Sequence, residues 1–155
     1  MSGEDWYGQH LSGQVHTRVD FVDLDLTETE SRGSVFTECV FRRAKFNCSV
    51  HNEAAFVNCT FRSCDFFETQ FIECKLVGSN FEGCSFDLMY VEGGNWSHVG
   101  LAGADLHRAE LADRNLRGSD LSSVEPRAMD LRGAIITIDQ ALVIAHAPGL
   151  DVRAE

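Results

Sequence analysis

The chain has 155 residues, 44% of them hydrophobic, with a formal net charge of -11 and a pI near 4.9. That length suits one domain, and the excess of acid argues against direct binding of nucleic acid and toward a basic partner surface. No apolar stretch approaches the roughly 20 residues of a membrane span, and Met1 to His10 lacks the basic and apolar regions of a signal peptide, so the chain is expected in the cytoplasm.

Residues 1–10 are polar and acidic around Trp6. From Leu11 a period of five takes over: Leu11, His16, Phe21, Leu26, Ser31, then Phe36, Phe41, Phe46, His51, Phe56, Phe61, Phe66, Phe71, Leu76, Phe81 and Phe86. Two residues before each position of the Phe-rich block stands something small or slim: Ser34, Cys39, Ala44, Ser49, Ala54, Cys59, Cys64, Thr69, Cys74, Ser79 and Cys84. This period matches neither a helix nor a simple strand, so the chain must turn a corner every five residues.

The register runs on without insertion through Val91, Trp96, Leu101, Leu106, Leu111, Leu116, Leu121, Pro126, Leu131 and Ile136. Leu replaces Phe here, so the core is expected to pass from a stacked-aromatic column to an aliphatic one. Each buried Phe or Leu should contribute about 1.5–3 kcal/mol. Phe67 is the one Phe out of register, and Gly94 is expected to make room for the Trp96 indole. Pro126 removes a ladder donor and predicts an irregular coil there.

Segments such as Cys59-Thr60-Phe61-Arg62-Ser63, Ser79-Asn80-Phe81-Glu82-Gly83 and Ala104-Asp105-Leu106-His107-Arg108 resemble the pentapeptide-repeat motif: small, polar, Leu or Phe, any, Gly or polar. The resemblance covers nearly the whole chain. It implies an all-β solenoid, a right-handed quadrilateral β-helix in which four pentapeptides make one square coil and residues twenty apart stack. Residues 11–136 would then form about six and a half coils in a rod about 31 Å long. Residues 1–10 are expected to act as an N-terminal cap, since an open coil exposes apolar core and unpaired backbone.

Residues 137–155 lose the fivefold pattern. A short helix is expected, N-capped by Thr137 or Asp139 and stopped by Pro148-Gly149. Its apolar surface must pack on something, either the last coil or a twofold mate. The segment is similar to the C-terminal dimerisation element of MfpA-type pentapeptide-repeat proteins. That resemblance implies a homodimer whose interface draws on Ile136, Ile138, Leu142, Val143, Ala145 and His146.

Cys39, Cys59, Cys64, Cys74 and Cys84 occupy the small inward slot and are expected as reduced core thiols, with Cys48 outside it. Cys39 with Cys59 and Cys64 with Cys84 are close enough by register for a disulfide. Their spacing is not that of a zinc site, and neither a metal nor a cofactor is expected. His16 and His51 take central core slots, and Ser31 beside His51 is expected as a packing defect that bends the coil. His10, His98, His107 and His146 are scattered without a paired carboxylate or nucleophile, so no enzyme activity is expected.

Sorting residues by their place in a twenty-residue coil assigns each charge to a face. The face centred on Leu26, Phe46, Phe66, Phe86, Leu106 and Pro126, here the Phe46 face, carries Asp25, Glu28, Asp65, Glu68, Asp87, Asp105 and Glu125 against Lys45, Arg108 and Arg127. Its neighbour, the His51 face, carries Glu30, Glu53, Glu73, Glu92, Glu110, Asp113 and Asp130 against Arg32 and Arg132. The opposite Phe56 and Phe61 faces hold Asp20, Asp23, Glu38, Glu82 and Asp120 against Arg18, Arg42, Arg43, Arg62, Lys75, Arg114 and Arg117. Solubility needs charge but not this sidedness.

Pentapeptide-repeat proteins of the MfpA and Qnr type resemble B-form DNA in size and charge and bind DNA gyrase and topoisomerase IV. The resemblance implies a DNA mimic that competes with DNA for a topoisomerase and confers resistance to quinolones or another gyrase poison. The projecting loops of some Qnr proteins are absent, which brings the chain nearer the loop-free MfpA pattern. A non-enzymatic repeat scaffold for an unrelated basic protein is the alternative, because fold does not fix function.

Overall fold

A computed structural model describes residues 1–101, 103–106, 108–122, 124–146 and 149–153. His107 and Pro148, both named above, lie outside the described residues. The chain winds as a parallel β-solenoid. Three of its faces carry sheets: the His51 face stacks His10–Ser12, Glu30–Arg32, Val50–Asn52, Gln70–Ile72 and Tyr90–Glu92. On the Phe56 face Val15–Thr17, Val35–Thr37 and Ala55–Val57 pair in the same parallel way, and on the Phe61 face Asp20–Val22, Val40–Arg42, Thr60–Arg62 and Asn80–Glu82 do so.

Register is strict. Phe41 pairs with Phe21 and Phe61, and Phe36 with Phe56, each partner twenty residues away. The Phe46 face is held by single bridges instead, from Asp5–Asp25 through Lys45, Asp65 and Ser85 to Asp105. Bridges carry the ladder on to Asn115–Ile135. They also carry it back into the expected cap, where Ser2 bridges Val22 and the Trp6 amide donates to the Asp25 carbonyl at 2.8 Å. Residues 1–10 thus join the ladder of the coil that follows them.

The five-residue period places every central residue inside. Phe21, Phe41, Phe46, Phe61, Phe66 and Phe86 have no exposed surface, and Leu101, Leu111, Leu116 and Leu121 continue the core. Rings stack along each face and meet edge to face across corners. Phe61 lies 4.6 Å from Phe81 at 4° and 5.5 Å from Phe66 at 72°. Such geometry adds about 0.5–1.5 kcal/mol per pair beyond area burial. The ladder passes through Ser31 in register, paired to Leu11 and His51.

The inward slot does more than stay small. Thr29, Thr69, Ser79 and Ser119 donate to the carbonyls of Trp6, Phe46, Phe56 and Trp96 at 2.7, 2.8, 2.7 and 2.8 Å, each 23 residues back. The thiols of Cys39, Cys59, Cys64, Cys74 and Cys84 point at the equivalent carbonyls. A central carbonyl faces inward where the chain turns, and the slot hydroxyl or thiol satisfies it. All six cysteines are free, and burial pushes the Cys59 thiol up to about 12 and Cys74 to about 11. Arg114 occupies the same slot half-buried, with Nε on the Val91 carbonyl at 3.1 Å. It is a structural donor rather than the surface charge that the face count made it.

Corners lie two residues past each centre, in the left-handed region. Glycine suits them, yet Glu28, Glu53, Glu68, Glu73 and Asp113 hold φ between 52° and 58° there. At Gly94, in the inward slot just past the Gly93 corner, φ is also positive and the demand is steric as well: an added Cβ would stand 2.0 Å from the Cys74 carbonyl oxygen. Backbone approach, rather than room for the Trp96 indole, explains that glycine.

The helix spans Ile138–His146. Thr137 caps it, with Oγ1 accepting from the Gln140 amide at 3.2 Å while Gln140 Oε1 accepts from the Thr137 amide at 2.8 Å. Asp139 is not the cap. Gln140 is buried and its Nε2 donates to the carbonyls of Leu116 and Ser119 at 2.6 and 2.8 Å. Among the described residues, no helix is long and apolar enough to cross a membrane.

Candidate partner-binding faces

The ladder fixes which acids share a surface. Because stacked residues are twenty apart, the Phe46 and His51 faces meet along one corner, and the acids expected there do lie outside the core. The structure adds Asp5 to the Phe46 column through its bridge to Asp25.

Their partners divide them. Asp87 receives Arg108 at both oxygens, 2.9 and 2.7 Å, and Asp130 receives Arg132, which holds its carboxyl down at about 2. Glu53 meets Arg32 at 3.4 Å, Glu30 meets His10 at 3.1 Å and Asp25 meets Lys45 at 4.0 Å. Glu28, Asp65, Glu68, Glu73, Glu92 and Asp113 are bound by neutral groups or face solvent. Glu28 accepts from the Tyr7 hydroxyl, Asp65 from Asn47 and the Phe67 amide, Glu92 from the Tyr90 hydroxyl. Glu73 leans over Gly93 and accepts from the Gly94 amide at 3.1 Å, while Asp113 lies over Gly133. Glu68 receives only the weak Cys48 thiol at 3.7 Å. Glu110 bridges Tyr90 and Asp130 on the His51 face, and Asp105 bridges Ser85 on the Phe46 face.

The opposite faces are different. Asp20 pairs with Arg42, Asp23 with Arg43, Glu38 with Arg18 and Glu82 with Arg62, at 2.7 to 3.1 Å. Their acids are neutralised locally, with Asp120 the exception among the described residues. Unbalanced negative charge therefore gathers on two adjacent faces, from Glu28 to Asp113. Exposed pairs such as these contribute little stability, about 0–1 kcal/mol each, but they set where the field points.

The acidic surface does not run to the end of the rod. At Pro126 the Arg108 amide donates to the Ala128 carbonyl at 2.6 Å and the Ala128 amide to Glu125 at 2.9 Å, a local bulge. Beside it a groove of about 680 Å³ is lined by Arg108, Arg127 and Arg132 together with Glu110 and Asp130. The expected irregularity at Pro126 thus opens a mixed, partly basic surface.

The expected dimer residues also separate. Ile138 is 82% exposed, and Leu142 and Val143 are exposed beside it, whereas Ile136 is partly buried against the core. Ala145 is half-buried and His146 exposed. Ile144 packs on the core and was not expected to. Among the described residues, no group of His, Cys, Asp and Glu could hold a metal ion. His51 is fully buried, with Nε2 3.0 Å from Ser49 Oγ and Nδ1 without a partner. Burial lowers its pKa to about 4, which suits a neutral core ring.

A family model described as a pentapeptide repeat region matches residues 34–111, just over half of the chain. The chain belongs to the pentapeptide-repeat family. No curated protein matches it. Among solved structures it is similar to a trypsin-treated form of QnrB1, a plasmid-mediated fluoroquinolone resistance protein, at 19% identity over 99% of this chain and 98% of that one, with a TM-score of 0.40. It is also similar to HetL, involved in heterocyst differentiation regulation in Nostoc sp. strain PCC 7120, at 20% identity over 86% and 73% of the chains and a TM-score of 0.31. A thylakoid-lumen pentapeptide-repeat protein of Arabidopsis thaliana aligns at 19% identity over 89% and 75%, with a TM-score of 0.35.

Proposed function

We propose that this pentapeptide-repeat protein is a cytoplasmic DNA mimic that binds the basic DNA-binding saddle of DNA gyrase or topoisomerase IV, competes there with DNA, and confers resistance to quinolones or another gyrase poison. One observation carries the reading: carboxylates without a basic partner gather on two adjacent faces of a rod, while four of the five on the opposite faces, all but Asp120, are neutralised by their own arginines. Duplex DNA presents one charge per roughly 1.7 Å of axis; a column of acids on strands stacked about 4.8 Å apart presents one per about 4.8 Å, so the likeness rests on the columns of both faces together. Basic side chains of the saddle would pair with Glu and Asp in place of phosphate. The exposed Ile138, Leu142 and Val143 support a homodimer through the C-terminal helix, which would set two rods end to end over about 60 Å.

The test is supercoiling by purified gyrase with increasing protein, with and without a quinolone, at two salt concentrations. Inhibition or protection that weakens with salt, and is lost in Glu28→Gln/Glu68→Gln/Glu92→Gln, is the expected outcome. No effect on gyrase or topoisomerase IV at any concentration sinks the proposal. The arginine-lined groove at Pro126 breaks the likeness to a uniformly charged duplex, and a second reading, a scaffold for an unrelated basic protein seated on the acidic faces alone, does not need that likeness.

A further inference from the structure

Three residues that depart from the repeat lie on neighbouring coils along the corner between the two acidic faces. Leu88 holds φ at 57°, and among the described non-glycine residues with positive φ it is the only aliphatic one. A bulky apolar side chain is disfavoured in that conformation, and Leu88 is also 38% exposed, so neither backbone preference nor burial accounts for it. Tyr90, two residues on, is 37% exposed and donates its hydroxyl to Glu92. Phe67, the Phe outside the register, is half-buried one coil back. The ladder sets them on adjacent coils: the Glu68 amide donates to the Asp87 carbonyl at 3.1 Å and the Tyr90 amide to the Thr69 carbonyl at 2.9 Å, so Glu68 lies beside Leu88, Gln70 beside Tyr90, and Phe67 is next in sequence to Glu68.

We infer that Phe67, Leu88 and Tyr90 form an apolar anchor within the acidic surface, and that the partner presents an apolar side chain in the middle of a basic surface, as a basic amphipathic helix does. A purely ionic contact gains nothing from an exposed leucine at a strained corner. Protein interfaces place aromatic and aliphatic side chains at the centre and charges at the rim, where charge sets encounter rate and register. Here Asp65, Glu68 and Glu92 supply such a rim. The inference rests on the reading of these faces as the binding surface, but not on the partner's being a topoisomerase.

Two labelled peptides of about twenty residues, long enough to form a helix, provide the probes. Both carry the same lysines; one has leucine along one helical face and the other serine. Fluorescence anisotropy at low and high salt is expected to show a preference for the leucine peptide of about tenfold that persists at high salt. The variant Phe67→Thr/Leu88→Asn/Tyr90→Thr should remove that preference and leave serine-peptide binding unchanged. Asparagine tolerates the left-handed corner, and Thr27 already stands in the Phe67 column, so a thermal melt should show the fold retained. Equal binding of the two peptides by the unaltered protein, or an undiminished preference in the variant, overturns the inference. Leucine-peptide preference together with no effect on gyrase or topoisomerase IV supports the anchor and sinks only the topoisomerase assignment.

Discussion

Gln140 Nε2 stands 2.6 Å from the carbonyl oxygen of Leu116, and so repeats from the helix the bond that Ser, Thr and Cys side chains make all along the rod. The helix is tied to the last coils by the solenoid's own device. Gln140→Leu would take the side-chain donor from both carbonyls, leaving Leu116 with only the Ser119 amide at 3.0 Å and Ser119 without the bond from Gln140. A loss of roughly 2 kcal/mol in urea unfolding is expected, with the rest of the rod still folded by circular dichroism.

Glycines with positive φ are not equivalent. Gly83→Ala meets nothing within 4 Å and bears only the left-handed backbone penalty, about 1–2 kcal/mol. Gly94→Ala adds a collision with the Cys74 backbone and should cost more than about 4 kcal/mol, a severe loss. Thermal melts of the two variants side by side check the difference.

Ser31 is buried with Oγ unpartnered, in a column where Leu11, His51 and Phe71 fill the same place. Ser31→Leu should remove an orphaned hydroxyl and fill space, and so stabilise by about 1–2 kcal/mol. A lower melting temperature would show that the site is too tight for leucine.

His51 predicts an acid-sensitive fold. Its folded pKa is lowered to about 4 from an ordinary 6.5, so between those values the unfolded chain binds the proton and the folded chain does not. Stability present above pH 6.5 is therefore lost as pH falls toward 4, by on the order of 3 kcal/mol for this group. His51→Phe should flatten that part of the pH profile, measured by urea unfolding at pH 4.5, 5.5 and 7.5.

Acids on the opposite faces serve as a control. Asp20→Asn and Glu82→Gln break exposed pairs with Arg42 and Arg62 and should change stability by less than about 1 kcal/mol. Gyrase inhibition should survive both, whereas Glu68→Gln/Glu92→Gln should weaken it.

The solenoid was legible because one signal, a large apolar residue every five, reports one physical fact, an inward side chain at each turn. Phe41 and Phe61 announce their own stacking. Gln140, Gly94 and Arg114 do not, because their roles depend on backbone groups twenty or more residues away that a periodic pattern does not describe. The acidic faces were legible as positions but not as chemistry. Glu68 and Asp87 look alike in sequence, and only the coordinates show that Arg108 neutralises one of them. The short helix was visible from its change of period, whereas its inward residue Ile144 was not, because only the docking angle decides which apolar side chains are covered.

Phe41 and Phe61 each stack on the rings twenty residues before and after them, and the outward residues on either side take no part in that contact. Interior and exterior are thus written by different letters of the same five. A new pattern of surface charge can be laid on this rod without repacking a single aromatic ring, so its binding identity can change while its melting behaviour stays nearly the same.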